Sequence, residues 1–369
     1  MKFRAAVLHD VGRPLAIETV ESGALRPTDV LVLVRASGLC HTDLEVMQGQ
    51  LAYPLPIVLG HEGAGVVDAV GADVTLVRPG DHVVCSWNPS CGQCFYCDRD
   101  QPILCEPFTR HQPQGHLLDG GSRLTIGGRK LHHFSVVSSH AEYCVVPETG
   151  AIAVPREIPF DRACLIGCGV MTGVGAACRV ARVAAGSSVA VIGCGAVGLN
   201  ALQGARLQEA ETIIAIDRDA GRLALARAFG ATHVIEAAAG IDLTAEVKAL
   251  TTGRGADCVL ECAGSQAGFR LSSEITRPGG QLVWLGKVNV GQDVAFRWGA
   301  LMGEKRITRS SYGGARPRRD FPWLARLYLE GKLKLDELIT TRLPLDRINE
   351  GFAAMTRNEV TRAVVMFDK

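Results

Sequence analysis

Four cysteines crowd one short stretch as Cys91-x2-Cys94-x2-Cys97-x7-Cys105. Thiolates at this spacing can present sulfur to one ion while the backbone loops around it, and four of them complete tetrahedral zinc with no position left for water. The role of such a site is structural. It would hold together the segment 88–107, which has too few apolar residues to build its own core. Four cysteines also suit an iron–sulfur cluster, the competing reading. A second set is dispersed: Cys40 in Gly38-Leu39-Cys40-His41-Thr42-Asp43, His61 in Gly60-His61-Glu62-Gly63, and Cys168 in Gly167-Cys168-Gly169. Together they would make a Cys2His set with one position open, the donor set of a catalytic zinc. Taken singly, each has a plainer explanation, because a lone cysteine is most often a small buried hydrophobe and a histidine among glycines a turn residue.

A third pattern is Gly193-Cys194-Gly195-Ala196-Val197-Gly198. A bare G-x-G-x-x-G says little in a chain with 42 glycines. Its context says more: 187–192 reads as a buried strand, Leu199, Leu202 and Leu207 follow at helical spacing, and a second strand at 212–216 ends in Asp217. Gly193 would permit the turn, Gly195 would let a pyrophosphate approach the backbone, and Gly198 would let the helix pack on the strand. The phosphates would then sit at a helix N-terminus. Asp217 is placed to accept from both hydroxyls of an adenosine ribose and to repel a 2′-phosphate, which favours NAD over NADP. Arg218 beside it is the one feature that could recruit that phosphate.

The elements that must carry these residues alternate. Patterns are helical over 222–229, extended over 257–261, helical over 266–275 and extended over 281–286, the sequence form of a doubly wound parallel sheet. Cys40 follows an alternating strand at 30–34. No formal charge occurs between Arg182 and Arg206, a length that could cross a membrane. The stretch is glycine-rich and changes from a continuous apolar run to helical spacing, so a strand, turn and helix are expected instead. Lys2 and Arg4 precede only the apolar run 5–8, too short for a signal-peptide core, and a cytoplasmic protein is expected. The cysteines number 13, an odd count that excludes a fully paired disulfide framework. Lys plus Arg is 39 and Asp plus Glu 38, giving a net charge of +1 and no bulk field for nucleic acid or a membrane surface. With 47% hydrophobic and 21% charged residues, a disordered chain is excluded. The basic cluster Arg316, Arg318 and Arg319 beside Pro317 reads as a solvated loop.

With Gly60-His61-Glu62, the four-cysteine lobe, Gly167-Cys168-Gly169 and Gly193-Cys194-Gly195 in this order, the chain resembles the zinc-dependent medium-chain alcohol dehydrogenases over essentially its whole length. The stretch 114–133 makes it similar to the longer branch, with alcohol, glutathione-dependent formaldehyde and aryl-alcohol dehydrogenases. The resemblance implies an α/β architecture: a GroES-like β-rich catalytic domain at 1–169 and 312–369, carrying the lobe 88–107, and a Rossmann doubly wound parallel-sheet coenzyme domain at 170–311. It implies two zinc ions per chain and NAD. Cys40, His61 and Cys168 would hold the catalytic zinc, and Cys91, Cys94, Cys97 and Cys105 the structural one. Asp43 looks like the carboxylate that orients His61, and Glu62 resembles a glutamate that approaches the metal during ligand exchange. Thr42 would take the alcohol proton as hydride leaves for the nicotinamide. His41 and Arg362 fall where the family contacts the pyrophosphate, Asp217 and Arg222 flank the ribose, and Thr172 would pack against the nicotinamide.

Two departures bear on activity. The family's proton relay ends in a histidine three residues after the threonine, where this chain has Glu45, whose ordinary pKa is about 4.3. Members acting on S-hydroxymethyl-thiol adducts carry an acidic residue before Gly-His-Glu and an arginine soon after the last structural cysteine. Here Leu51 takes the first place and Arg110 is only near the second. Leu51 and Trp87 would instead line an apolar pocket. The expected reaction is therefore reversible oxidation of a primary alcohol, aryl or medium-chain, with a thiol-adduct formaldehyde dehydrogenase or a secondary-alcohol dehydrogenase as the alternative. A small-molecule substrate and a homodimer or homotetramer are expected, with no nucleic acid and no membrane. A zinc-free quinone reductase would need none of Cys40, His61 or Cys168, and a non-enzymatic zinc and nucleotide module would have no use for Thr42.

Overall fold

Strand Asp29–Gly38 is buried along almost all of its ten residues, because it is paired on both sides. It lies between Glu62–Val70 and Arg362–Met366 in a seven-stranded sheet, and Tyr143–Pro147 also pairs with it. Register does the positioning. Gly38 lies opposite Glu62 in one neighbour and opposite Val364 in the other. Cys40, His61 and Arg362, one or two residues beyond these pairs, are thereby brought to one end of the sheet. A second, six-stranded sheet is built around Lys2–Leu8 and Ala16–Ser22. Val32, Val34, Leu39, Val67, Val83 and Phe134 belong to the core of this part of the molecule.

The computed structural model describes residues 1–367. Contacts divide it into two compact units, Met1–Cys168 with the chain from Arg316 onward, and Gly169–Ala315. The second unit holds one six-stranded, wholly parallel sheet. Its strands run in the order His233–Glu236, Thr212–Asp217, Ser188–Ile192, Ala256–Glu261, Thr276–Trp284 and Arg306–Arg309. Winding reverses between Ser188–Ile192 and Ala256–Glu261, the crevice where such sheets take ligands. Ala190, Ile192, Ile214, Ile216 and Val259 are core residues of this unit.

The uncharged stretch resolves into strand Ser188–Ile192, a turn and helix Ala196–Leu207. A different run, Phe160–Ala181, is long and apolar enough to cross a membrane by length and composition, but 72% of its window is buried inside the protein, as in a core helix. It contains two π-helical turns, Ile166–Val170 and Ala176–Ala181, and Cys168 sits in the first. Such turns are rare and gather at functional sites.

In the second unit, His233–Glu236, helix Leu243–Leu250 capped by the Asp242 carboxylate, and Arg306–Arg309 lie outside the sequence expectations. One expectation is corrected. The basic cluster is not a solvated loop: Pro317 opens helix Pro317–Leu329, where its fixed φ is an asset. Arg316 makes a two-pronged ion pair with Asp100, and Arg319 pairs with Asp320.

Candidate functional site

Helix His41–Met47 starts directly after the central strand, with Cys40 as its N-cap in extended conformation. Asp43, in the first turn, reaches back to accept the Cys40 amide at 3.1 Å, a capping arrangement that fixes the chain entering the helix. The same carboxylate, wholly buried, accepts the Gly60 amide at 3.0 Å and lies 3.3 Å from His61 Nδ1. That contact commits Nδ1 to the carboxylate and leaves Nε2 to face a metal.

Cys40, His61, Glu62 and Cys168 each offer a donor atom, and these atoms all lie within 4.8 Å of one another. The electrostatics of the group call for a cation. A hydrogen bond from Cys168 holds the Cys40 thiol well below the ordinary thiol range, with His61 and Arg362 adding to the effect, while Cys168 is pushed up. Two thiolates this close repel unless positive charge stands between them, and a divalent ion supplies it. Burial pushes the Glu62 carboxyl up to about 7 against the pull of Arg362. Glu62 Oε1 pairs with the Arg362 guanidinium, whereas its Oε2 is buried without a hydrogen-bond partner. An orphaned carboxylate oxygen beside two sulfurs and an imidazole fits zinc. Arg362 also donates to the Leu39 carbonyl at 2.9 Å.

The remaining sequence candidates of this unit are placed unevenly. Thr42 is half-buried, its Oγ1 3.8 Å from Cys40 Sγ, and His41 is exposed. Glu45 is half-buried, and its carbonyl accepts the amides of Gln50 and Leu51. Leu51 and Trp87 are partly buried, packed on the same core together with Tyr53 and Leu55.

In the lobe, Cys91, Cys94, Cys97 and Cys105 again bring four donors within 4.8 Å. Backbone amides point at the sulfurs, Cys91 N to Cys105 Sγ at 3.2 Å and Glu106 N to Cys94 Sγ at 3.5 Å. The Glu106 amide draws the Cys94 thiol down to about 6, while burial pushes Cys105 up to about 12. Four sulfurs, two of them with amides aimed at them, and no fifth donor in the group among the described residues fit a closed tetrahedral zinc site.

In the second unit, Gly193 has φ +89°, and a Cβ there would lie 2.8 Å from the Ala263 amide nitrogen. Gly195 precedes helix Ala196–Leu207, which has no side-chain cap, and a Cβ there would meet nothing within 4 Å. A Cβ on Gly198 would run into the Gly193 carbonyl. An uncapped helix N-terminus with open space before it fits a phosphate. Asp217 Oδ2 accepts the Cys194 amide at 2.6 Å and Oδ1 that of Asp219 at 3.0 Å. Arg222 stands in the first turn of helix Ala220–Ala228, and Thr172 is half-buried in helix Met171–Gly175. Sequence reasoning missed Glu261, which is wholly buried at the sheet's reversal point and accepts the amides of Ala263 and Gly264 at 3.2 and 3.0 Å. An acidic residue closing an apolar strand was the available signal.

Residues 196–330 match the family described as zinc-binding dehydrogenase, and residues 26–156 match the alcohol dehydrogenase GroES-like domain. The chain is 37% identical to the S-(hydroxymethyl)glutathione dehydrogenase of Paracoccus denitrificans over 375 aligned residues, covering 100% of both. It is 38% identical to the class-3 alcohol dehydrogenase of Myxine glutinosa, over 98% of this chain and 97% of that one. Among solved structures, an alcohol dehydrogenase zinc-binding domain protein from Burkholderia ambifaria matches with a TM-score of 0.95 at 36% identity, covering 100% of both chains. The benzyl alcohol dehydrogenase of Acinetobacter calcoaceticus matches with a TM-score of 0.94 at 32% identity, also over 100% of both.

Proposed function

The chain belongs to the zinc-dependent alcohol dehydrogenases, enzymes with a GroES-like domain and a Rossmann domain that use zinc and NAD, and we propose that it oxidises a primary hydroxymethyl group to the carbonyl level, giving an S-formyl thioester from a hydroxymethyl-thiol adduct or an aldehyde from a simple primary alcohol. The observation that carries this reading is the convergence of Cys40, His61, Glu62 and Cys168 within 4.8 Å. Bound there, zinc acidifies an alcohol and NAD accepts hydride from it.

In this proposal Cys40, His61 and Cys168 hold the catalytic zinc, Asp43 fixes the tautomer of His61, and Glu62 keeps a spare carboxylate oxygen beside the ion. Thr42 takes the alcohol proton, and Glu45 is the acceptor further along the same helix. Gly193, Gly195 and Gly198 admit the pyrophosphate, with His41 and Arg362 contacting it. Asp217 and Arg222 meet the adenosine ribose, and Thr172 the nicotinamide. The four lobe cysteines hold the second zinc.

For the substrate, full-length relatives named as S-(hydroxymethyl)glutathione dehydrogenases support a hydroxymethyl-thiol adduct, and this is the first reading. It ranks ahead of the aryl or medium-chain primary alcohol favoured from sequence alone, to which it was the alternative. The apolar side chains of Leu51 and Trp87, together with the likeness to a benzyl alcohol dehydrogenase, support an aryl alcohol as the second. Comparing kcat/KM for S-(hydroxymethyl)glutathione, benzyl alcohol and a secondary alcohol, each with NAD, decides between them. The adduct should lead by at least about tenfold; a lead of that size for benzyl alcohol transfers the assignment to the second reading. No disulfide joins any cysteine among the described residues, which supports a reducing compartment, and we propose the cytoplasm. The exposed edge strand Arg306–Arg309 supports a homodimer.

A further inference from the structure

His140 is wholly buried behind the Cys40–His61 cluster, in a segment that is otherwise apolar or hydroxylic. Its position is held from several sides. Its amide donates to the Leu59 carbonyl at 3.0 Å, its carbonyl accepts the Ala6 amide at 2.8 Å, and its ring meets Phe352 edge-on at 5.9 Å. Gly60 has φ +93°, and a Cβ there would lie 2.7 Å from His140 Nδ1, so the imidazole lies against the backbone next to His61.

The hydrogen-bond directions of this ring can be deduced. Nδ1 lies 2.9 Å from Ser37 Oγ, which in turn lies 2.7 Å from Ser139 Oγ. Nε2 has no hydrogen-bond partner and stands 3.8 Å from Asp43 Oδ1. Burial, the largest influence, drives the imidazole pKa down to about 4, so the ring is neutral and carries one N–H. If that hydrogen were on Nδ1, the lone pair of Nε2 would face a carboxylate in a dry core, which is repulsive. With the hydrogen on Nε2, Ser37 donates to Nδ1, Ser139 donates to Ser37, and Nε2–H points at Asp43. Asp43 Oδ1 is also the atom that lies 3.3 Å from His61 Nδ1. Hydrogen bonds therefore run from Ser139 through Ser37 to His140, and the last step, to the carboxylate that orients His61, is a 3.8 Å electrostatic approach of Nε2–H rather than a hydrogen bond.

We propose that His140 is a positioning residue for the catalytic metal, acting through Asp43 on His61. It rests on the reading of Cys40, His61 and Cys168 as zinc ligands. Its Nε2–H supplies positive potential to a buried carboxylate that otherwise depends on two backbone amides and His61. Without it, Asp43 turns toward the remaining donors and His61 loses its fixed orientation.

The test uses the full-length zinc-loaded enzyme and three variants. His140→Phe keeps the ring's shape against Phe352 and removes both nitrogens. His140→Gln offers an amide N–H near the place of Nε2. Ser37→Ala keeps the imidazole but removes its donor. Zinc content and the rate of zinc loss to a chelator are measured, with the visible spectrum after cobalt replacement of the catalytic zinc. Groups that orient a metal-bound histidine are worth about 10–100-fold in metal affinity, so one step further out His140→Phe should speed release of one zinc about tenfold. It should shift the cobalt spectrum and leave the four-cysteine zinc and NAD binding unchanged. His140→Gln should recover release to within about threefold of wild type. Equal loss in Phe and Gln variants, or wild-type release in His140→Phe, overturns the inference. If His140→Phe does not fold, unaltered release in Ser37→Ala overturns it instead. A wild type that binds only one zinc, at the four cysteines, overturns the metal reading beneath it and is recognised before any variant is compared.

Discussion

Asp217 carries two duties in one carboxylate. It braces the glycine turn by accepting the amides of Cys194 and Asp219, and in the proposed reading it also meets the ribose of a dinucleotide. Asp217→Asn keeps an acceptor for the turn and removes the charge. The charge-assisted bonds to the ribose diol, worth about 1.5–3 kcal/mol each when fully formed, weaken, and repulsion of a 2′-phosphate disappears. KM for NAD should rise about tenfold and the NADP-to-NAD ratio of kcat/KM should increase, read from steady-state kinetics with both cofactors. A wild type already preferring NADP contradicts the assignment. His133 gives a stability prediction on the same scale. It is wholly buried, its Nε2 accepts the Arg123 amide at 3.2 Å, and burial with the nearby Arg123 charge pushes its pKa down to about 3. An unfolded histidine titrates near about 6.5, so between these values the unfolded chain binds a proton that the folded chain refuses. The contribution of neutral His133 is complete above about pH 6.5 and is lost as pH falls from there toward 3. Urea unfolding at pH 7 and pH 5 should differ by on the order of 2 kcal/mol at this site, and His133→Asn should flatten that slope.

At the scale of elements, the strand–turn–helix that would cradle NAD depends on one missing methyl group. A Cβ at Gly198 would run into the Gly193 carbonyl, so helix and strand must part in Gly198→Ala. Overpacking of this kind costs about 1–3 kcal/mol. The variant should melt lower and lose NAD binding in calorimetry while retaining both zinc ions; unchanged NAD affinity would refute the cradle. The cysteine lobe makes the complementary case. Cys97→Ala should remove one zinc of two and lower the melting temperature before it alters NAD affinity, because the site leaves no coordination position for substrate. Much of this was legible beforehand. A continuous apolar run marked Ser188–Ile192, and helical spacing marked Ala196–Leu207 and Gln266–Ile275, since the strand is buried throughout and each helix buries one face. Strand Arg306–Arg309 left no pattern because all four residues are exposed. The dispersed donors Cys40, His61 and Cys168 could be grouped as a Cys2His set from the residues, but only the resemblance raised that set above the plainer readings: sheet register and a π-turn bring them together, and neither has a local sequence signature. His140 had no signal at all, because its chemistry comes from what the register of distant strands sets beside it.

For the whole molecule, the open question of assembly turns on one edge. Strand Arg306–Arg309 pairs with Thr276–Trp284 on one side only, and its residues are all exposed. An unpaired edge presents a row of backbone donors and acceptors that another chain can meet. Large apolar side chains accompany it in the same unit: Trp298 is 80% exposed, Met302 66% and Ile307 37%. Exposed aromatic and aliphatic groups within ten residues of a free edge in sequence are costly in water and mark an association surface. A second copy related by a two-fold axis can cover edge and side chains together, since a closed pair buries the same patch twice and leaves no strand end to propagate. The chain should therefore sediment at twice 39.3 kDa at micromolar concentration. Trp298→Ser combined with Ile307→Lys removes apolar area and adds like charges that a two-fold brings together. That double variant should shift the equilibrium toward monomer while keeping zinc content and the NAD affinity of each chain. A wild type that sediments as a monomer, or a double variant with an unchanged dimer, would place the interface elsewhere.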